Sequence, residues 1–298
     1  MEELKKLAVF LFESFYLTIV AIVSAILPSG VLPRKNVRGQ KVLITGAGSG
    51  IGRGLALKFA RLGAKVIVWD VNDEGSRKTL ELIEEEGFEA TSYHVDLSSA
   101  AEINETAKKV GNIDILINNA GIAEAKLMTM NTEAMIEKTF AINTKALFYT
   151  TQNFLQSMLE KNHGHIVTIA SMAGKIASAG LSVYTASKHA AVGFHGSLTD
   201  ELSVLGKTGV HTTLVCPYYV RTAMFDAPEI SGTALLPILE VDYVADRIVE
   251  AILTNTEHLC TPRASYFIAF WINIMPATVW RLITNASGLS KHLEEAQK

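Results

Sequence analysis

Residues 41–70, KVLITGAGSGIGRGLALKFARLGAKVIVWD, place a glycine-rich turn and an amphipathic segment between two apolar runs. Apolar runs that alternate with helical segments are typical of parallel strands whose sheet is covered by helices on both faces. The same alternation continues through further strand candidates at 89–96, 113–121, 165–171, 210–217 and 258–262. We therefore predict an α/β fold, a single doubly wound Rossmann domain with a parallel sheet.

The glycine-rich turn predicts a dinucleotide site. It has the pattern T-G-x-x-x-G-x-G, on Thr45, Gly46, Gly50 and Gly52. Glycines allow close approach of the backbone to a pyrophosphate, which the N-terminus of the following helix attracts. Asp70 ends the second strand candidate, where a carboxylate accepts hydrogen bonds from the adenosine ribose and repels a 2′-phosphate. Ser49 and Val71 supply no cation to hold such a phosphate, so we predict NAD rather than NADP.

Polar residues also follow the third and fourth strand candidates. Asp96 follows the third, and NNAG, residues 118–121, follows the fourth. The carboxyl ends of parallel strands meet at one edge of a sheet, where open α/β sheets bind their ligands. We therefore expect these residues to lie beside the glycine-rich turn.

A tyrosine and a lysine follow the fifth strand candidate, which ends at Ser171. Tyr184 and Lys188 are four residues apart, so on a helix their side chains lie on one face. A free tyrosine has a pKa near 10, and a neighbouring ammonium lowers it by favouring the phenolate. We therefore expect Lys188, together with the positive nicotinamide ring of NAD⁺, to supply much of the stabilisation that makes Tyr184 a base near neutral pH.

Together with the glycine-rich turn, NNAG and Asn143, this set resembles the short-chain dehydrogenase/reductase family over about residues 42–260. The resemblance implies hydride transfer between NAD and an alcohol, with Tyr184 taking the alcohol proton and Ser171 orienting the reacting oxygen. It implies that Asn143 holds a water in a proton relay to Lys188, that Lys188 also binds the nicotinamide ribose, and that the chain forms a homodimer. The candidate cofactor contacts are Thr45, Gly46, Ser49, Gly50, Ile51, Gly52, Asp70, Asp96, Asn119, Ala120, Gly121, Tyr184, Lys188, Pro217 and Thr222.

The N-terminal region departs from the composition of the rest. Residues 7–27 are apolar except for Glu13 and a few hydroxyl residues, long enough to cross a hydrocarbon core about 30 Å thick. Basic residues follow between 34 and 41, which the positive-inside rule assigns to the cytosol. A cleaved signal peptide is the alternative, but no A-x-A site follows the run. We predict a membrane anchor over 1–36, with a full crossing left open, a catalytic domain over 37–262 facing the cytosol, and an apolar helical extension over 263–298.

Composition excludes other classes of function. The 298 residues carry a net charge of −3 and no basic stripe on any predicted helix, so nucleic acid is not an expected partner. Cys216 and Cys260 lie near the ends of apolar runs, which favours two buried, reduced thiols over a disulfide. His163 and His165 lack carboxylate or thiol partners nearby in the sequence, so we interpret them as loop residues and predict no metal site.

The expected substrate is a lipophilic alcohol. Residues 223–240 are largely apolar and lie where the resembled family has its substrate lid, and residues 264–280 add an aromatic-rich patch. Both segments could equally pack on the domain. The family has Pro-Gly after its sixth strand, whereas Tyr218 follows Pro217 here and reshapes the cavity wall. The layout is similar to membrane-bound epidermal-type retinol dehydrogenases and hydroxysteroid 17-beta-dehydrogenases of the endoplasmic reticulum and lipid droplets. We expect retinol first, a steroid or other lipid alcohol second, and an NAD-binding lipid-droplet scaffold of low activity as a third reading.

Overall fold

A computed structural model describes residues 1–26, 30–225, 236–272, 274–276, 278–279 and 281–282. Within these ranges, seven strands form one parallel sheet. They are β1 Lys41–Thr45, β2 Lys65–Asp70, β3 Ala90–His94, β4 Ile115–Asn118, β5 Gly164–Ile169, β6 Val210–Pro217 and β7 His258–Thr261. Their order across the sheet is β3-β2-β1-β4-β5-β6-β7. The predicted strands and the doubly wound α/β domain are therefore confirmed.

Helices connect the strands and cover the sheet. They are α1 Glu2–Ile26, α2 Gly50–Arg61, α3 Asp73–Glu85, α4 Ala100–Val110, α5 Glu133–Phe140, α6 Ala146–Lys161, α7 Ser182–Val204, α8 Val241–Leu253 and α9 Ala264–Ile272. A π-helical turn, Ala141–Lys145, joins α5 to α6. Short 3-10 turns occupy Met128–Met130, Met172–Gly174 and Ala223–Phe225.

Both faces of the sheet are buried because successive residues of each strand point to opposite sides. In β1, Val42 and Ile44 enter a core that also contains residues of α2 and α8. Leu43 enters the opposite core, which contains Phe154 of α6 and Leu198 of α7. Two buried faces require apolar residues at consecutive positions, which explains why the strands read as unbroken apolar runs.

The chain order of the strands creates the ligand crevice. β1 and β4 are neighbours in the sheet, and the crossover connections on either side of them run in opposite directions. The loops that follow the strands therefore separate at this point, and ligands bind in the crevice beyond the carboxyl ends of such strands.

The core contains a buried histidine and a pair of neighbouring cysteines. His165 lies inside β5, fully buried, with Nε2 2.8 Å from Thr213 Oγ1, so its interpretation as a loop residue is wrong; His163 does lie in the loop. The hydroxyl of a neighbouring strand satisfies the imidazole and makes this burial possible. Cys216 and Cys260 are buried and free, as predicted, and they are direct partners in the register of β6 and β7.

The chain divides into two compact units, Met1–Lys35 and Asn36–Lys298. The first consists mainly of α1, on which large apolar side chains such as Phe10, Phe12 and Phe15 are exposed. Among the described residues, no helix meets the length and hydropathy that a membrane crossing requires. In the second unit, α9 gives a helical start to the predicted extension. Residues 27–29 near the end of the predicted anchor, 226–235 of the predicted lid, Trp280 of the aromatic patch and 283–298 lie outside the described residues.

Candidate active site

A cavity of about 350 Å³ lies at the carboxyl edge of the sheet. Its walls come from the loops and elements that follow β1 to β6. The predicted site residues that line it are Gly46, Ser49, Gly50, Ile51, Asp70, Asp96, Asn119, Ala120, Gly121, Ser171, Tyr184, Lys188, Pro217 and Thr222. Three other predicted residues, Thr45, Gly52 and Asn143, lie behind this wall.

The turn between β1 and α2 requires glycine where it touches the loop after β4. Gly46 has φ of +65°, and a Cβ added to it would lie 2.8 Å from the Cα of Ala120. Gly50, with φ of +51°, begins α2 directly after the N-cap residue Ser49. Among the described residues no side chain caps this helix, so its first N–H groups remain available to an anion such as a phosphate.

Thr45 and Gly52 support the turn from behind rather than facing the cavity. Thr45 Oγ1 accepts hydrogen bonds from the backbone N–H groups of Asn119, at 3.0 Å, and Ala120, at 3.1 Å. A Cβ on Gly52 would collide with the carbonyl oxygen of Gly46. In the structure these two residues hold the loops after β1 and β4 together, and the cofactor contacts expected of them stay a prediction.

Asp70 is fixed by the backbone at the end of β2. Its Oδ2 accepts the N–H of Gly48 at 2.8 Å, and its Oδ1 accepts the N–H of Asn72 at 2.9 Å. Each carboxylate oxygen has further lone pairs for the hydroxyls of a ribose. The neighbouring lining residues, Ser49 and Val71, carry no positive charge. This end of the cavity therefore suits an adenosine ribose without a 2′-phosphate.

Apolar residues beside these acids complete the adenosine end and were missed in the sequence. Val71, Val95 and Leu97 line the cavity next to Asp70 and Asp96. Their position as immediate neighbours of strand-end acids was the available signal. Asp96 itself accepts hydrogen bonds from the N–H and the hydroxyl of Ser98, and these bonds hold its pKa below the usual value. The side chain remains a carboxylate framed by apolar walls.

Ser171 and Tyr184 meet at the other end of the cavity. Ser171 follows β5, and its Oγ accepts the N–H of Ala173 at 3.0 Å, which fixes the side chain at the start of a 3-10 turn. Tyr184 lies in the first turn of α7, is 6% exposed and shares a side-chain hydrogen bond with Ser171. A substrate oxygen placed between the two hydroxyls would contact both a hydrogen-bond donor and a proton acceptor.

Lys188 lies one helical turn beyond Tyr184, as predicted, with its Nζ 5.7 Å from the centroid of the phenol ring. The ammonium donates to the carbonyl oxygen of Ile169 at 2.9 Å and is buried. Burial lowers the pKa of Lys188 to about 8 and raises the pKa of Tyr184 to about 12, although the bond to Ser171 lowers the latter. Desolvation of the phenolate thus opposes the stabilisation that Lys188 provides, and the low pKa expected of Tyr184 beside Lys188 and the nicotinamide ring stays a prediction.

Asn143 lies in the π-helical turn between α5 and α6, a local structure that is frequent at functional sites. Its Oδ1 accepts the N–H of Ile122 at 2.8 Å, and its Nδ2 donates to the carbonyl of Ile122 at 2.9 Å. The same Nδ2 lies 3.0 Å from the hydroxyl of Ser187, a residue that sequence reasoning passed over. Asn143 thus joins the loop after β4 to α7 from behind the cavity.

The wall opposite the catalytic residues is shaped by aromatic and aliphatic side chains. Tyr218 replaces the glycine of the resembled family and lines the cavity, and its ring lies edge-on to that of Tyr219 with centroids 5.4 Å apart. Val220 and Met224 extend the apolar surface. Only the two ends of the predicted lid are described, and Met224 belongs to its first residues. Apolar side chains therefore form much of the cavity wall that follows β6.

The residues present fit a bound NAD. A side chain at Gly46 would collide with Ala120, so the turn keeps its backbone open to a ligand. The N-terminus of α2 offers N–H groups to a pyrophosphate. Asp70 is oriented toward a ribose at one end, whereas Tyr184 and Lys188 lie at the other. The cavity lining thus offers a carboxylate for a ribose, N–H groups for a pyrophosphate and a lysine beside the catalytic tyrosine.

Comparison with known proteins agrees with this geometry. The family model of the short chain dehydrogenases matches residues 40–229. Human epidermal retinol dehydrogenase 2 is 42% identical over 290 residues, covering 96% of this chain and 93% of that protein. Human estradiol 17-beta-dehydrogenase 11 is 42% identical over 247 residues, covering 82% and 81%. A short chain dehydrogenase/reductase from Burkholderia phymatum, solved in complex with NAD, has a TM-score of 0.72 at 27% identity, covering 79% of this chain and 93% of that one. The chain therefore belongs to the short chain dehydrogenase family.

Proposed function

We propose that this family member uses NAD to interconvert a lipophilic alcohol and its carbonyl compound, with retinol and retinal as the preferred pair. The observation that carries the proposal is a buried Tyr184, bonded to Ser171 and flanked by Lys188, at the apolar end of the cavity. A proton acceptor, a hydrogen-bond donor and a cation at one point are what alcohol oxidation requires.

Each catalytic side chain has a separate task. When bound, NAD supplies the acceptor for the hydride and a positive charge beside the phenol. Ser171 donates a hydrogen bond to the reacting oxygen and holds it within reach of Tyr184, which takes the alcohol proton. Lys188, held by the carbonyl of Ile169, stabilises the phenolate and binds the ribose next to the nicotinamide. Asn143 holds a water through which Lys188 exchanges a proton with solvent.

The shape of the cavity supports a slender substrate. Tyr218 lines the cavity beside Pro217. The resembled family has glycine at this position, so the tyrosine ring leaves less space there for a substrate. A polyene chain is thinner than a fused four-ring steroid, so the smaller space favours binding of the polyene. A 17-beta-hydroxysteroid or another lipid alcohol is the second candidate, because a named estradiol dehydrogenase is as similar to the chain as a named retinol dehydrogenase is.

A direct comparison of substrates tests the proposal. The detergent-solubilised full-length chain would receive NAD⁺ with retinol, estradiol or a long-chain primary alcohol, and NADH formation would be measured. We expect the highest kcat/KM with retinol. A higher value for estradiol would favour the second candidate. NAD binding without turnover of any alcohol would refute the enzyme and leave the lipid-droplet scaffold as the better account.

We also propose that the chain attaches to the endoplasmic reticulum membrane or to lipid droplets, with the catalytic domain facing the cytosol. Support comes from α1, where Phe10, Phe12 and Phe15 are each more than half exposed. Further support comes from α9, whose Phe267 and Trp271 are exposed and whose aromatic rings suit the headgroup boundary. A lipid-soluble substrate is also concentrated in the membrane or lipid droplet.

Substitution within the full chain tests attachment. Replacing Phe10, Phe12 and Phe15 together by serine should move much of the protein into the soluble fraction, because each buried aromatic ring contributes roughly 2 kcal/mol. Replacement of the same residues by leucine keeps the apolar area and is the matched control. Unchanged fractionation of the serine variant, or protection of the catalytic domain from protease in intact microsomes, would contradict this proposal.

The homodimer implied by the family resemblance remains a proposal with one supporting feature. On the outer face of α6 and α7, Phe148 is 46% exposed, and its ring centroid is 4.6 Å from that of Phe194. Exposed aromatic pairs of this kind are common at the centre of subunit interfaces. Sedimentation of the wild type and of Phe148→Glu in detergent would test the dimer, which should dissociate in the variant.

A further inference from the structure

A single buried hydroxyl connects the catalytic helix to the π-helical turn. Ser187, fully buried on α7, lies directly before Lys188 and three residues after Tyr184. Its Oγ donates to the carbonyl oxygen of Tyr184 at 2.7 Å. The same oxygen accepts a hydrogen bond from Nδ2 of Asn143 at 3.0 Å. The turn that carries the phenol and the Asn143 amide are therefore fixed to each other through one atom.

The Asn143 amide depends on this bond for its full set of partners. Its Oδ1 accepts from Ile122, and its two N–H groups are used by the carbonyl of Ile122 and by Ser187. Asn143 is 1% exposed, so solvent would not replace a missing partner. Loss of the serine hydroxyl would leave one buried N–H unsatisfied, which is more costly than the loss of an average hydrogen bond.

The orientation of this amide matters because of what lies next to it. A Cβ added to Gly121 would be 3.3 Å from Oδ1 of Asn143 and 3.3 Å from Nζ of Lys188. Both atoms therefore lie beside Gly121, and because each is 3.3 Å from the same point they are at most about 6.6 Å apart. The negative end of an amide dipole near a buried cation favours the charged form of that cation. Lys188 has little water around it, so it relies on such fixed dipoles.

We propose that Ser187 is a positioning residue, which holds the Asn143 amide oxygen beside Lys188 and thereby keeps the ammonium that Tyr184 needs when it accepts the alcohol proton. The inference rests on the proposed function, since it assigns Tyr184 the role of base. Ser187 itself touches neither the cavity nor the reacting atoms. It acts through Asn143 and Lys188.

The test is the pH profile of kcat/KM with Ser187→Ala in the full-length chain. Weaker stabilisation of the ammonium makes the phenol harder to ionise, so the acid limb should move to higher pH. We expect a kcat/KM roughly three- to tenfold lower near neutral pH, from the usual strength of one buried hydrogen bond. The range of pH over which the variant is active should also be narrower, because Lys188 loses its proton at a lower pH. Ser187→Thr keeps a hydroxyl that can bond to the preceding turn of a helix, and it should restore the wild-type profile.

Thr144→Val is the matched control. Thr144 Oγ1 donates to the carbonyl of Ser187 at 3.1 Å, so it links the same two elements without touching the Asn143 amide. We expect this variant to lower the melting temperature and leave the acid limb in place. An acid limb that moves equally in Thr144→Val, or does not move in Ser187→Ala, would overturn the inference.

Further measurements keep this test separate from the proposed function. The ionisation of Tyr184 can be followed by ultraviolet difference absorbance against Tyr184→Phe, with NAD⁺ bound. If the wild type oxidises no alcohol, the proposed function fails, and an unshifted phenol titration in Ser187→Ala would then independently refute the role of Ser187. If Ser187→Ala does not bind NAD, Ser187→Cys replaces it, because cysteine keeps the size of the side chain and weakens the hydrogen bond. An unshifted titration of Tyr184 in Ser187→Cys would then refute the inference.

Discussion

Asp70 is expected to set the preference for NAD, and Asp70→Asn is the perturbation that removes its charge while nearly keeping its size. The two carboxylate oxygens accept the N–H groups of Gly48 and Asn72 at 2.8 and 2.9 Å, so the side chain cannot turn away from the cavity. Asparagine keeps the size and one acceptor oxygen. It removes the negative charge and one of the acceptors available to the ribose.

The size of the effect follows from two contributions. A charged acceptor bonded to a ribose hydroxyl is worth about 1.5–3 kcal/mol, so kcat/KM for NAD should fall roughly 10- to 100-fold. A 2′-phosphate about 5 Å from the carboxylate is repelled by roughly 3 kcal/mol at an effective dielectric constant near 20. Asp70 is only half-buried, and solvent screening reduces this to about 1–2 kcal/mol. We therefore expect kcat/KM for NADP to rise about 5- to 30-fold.

The assay compares kcat/KM for both cofactors in the wild type and the variant, at low and high salt. Asp73→Asn is the matched control, because it removes the same charge from the exposed start of α3, where Asp73 pairs with His94 outside the cavity. A wild type that prefers NADP would refute the reasoning. So would a change of cofactor preference in Asp73→Asn as large as that in Asp70→Asn.

Two other predictions concern catalysis and stability. Tyr184→Phe should reduce turnover roughly 100- to 10,000-fold and leave NAD affinity within a few-fold by fluorescence titration; substantial residual turnover would remove Tyr184 from the mechanism. Burial, with contributions from His258 and Lys175, lowers the pKa of His195 to about 3. The unfolded chain takes up this proton below about pH 6.5, so stability falls from there toward pH 3 by roughly 1.4 kcal/mol per pH unit. In His195→Leu, the difference in unfolding free energy between pH 7 and pH 5 should shrink by about 2 kcal/mol; an unchanged difference would show that other groups cause it.

The sequence predicted the sheet and most of the cavity lining for one physical reason. Unbroken apolar runs specify strands that are buried on both faces, and parallel strands bring their carboxyl ends to one edge. Residues such as Asp70 and Asp96 could therefore be placed together without knowledge of any contact. Prediction was weaker for Thr45 and Ser187. Their hydroxyls bond to partners far along the chain, and those partners are determined by packing between elements rather than by spacing.

His165 illustrates the same limit. A histidine next to glycine and another histidine is typical of a loop, whereas the hydroxyl of Thr213 on the neighbouring strand gives the buried ring of His165 a hydrogen-bond partner. The register of β5 and β6 places the hydroxyl there, and no local pattern in either strand indicates that register. The juxtaposition of Cys216 and Cys260 depends in the same way on the register of β6 and β7.

The sign of the change in the pKa of Tyr184 could not be predicted because the sequence gives proximity but not burial. A spacing of four residues places an ammonium near the phenol, which lowers the pKa, whereas removal of water from the phenolate raises it. The structure shows that burial dominates, with a pKa of about 12 for Tyr184 and about 8 for Lys188. A buried tyrosine of this kind becomes a base only when several fixed dipoles and charges act on it together. In the proposed mechanism, the bond from Ser171, the charge of Lys188 held by the carbonyl of Ile169, and the Asn143 amide each supply a part of that stabilisation. The groups that serve one proton transfer would thus come from the end of β5, the π-helical turn and α7.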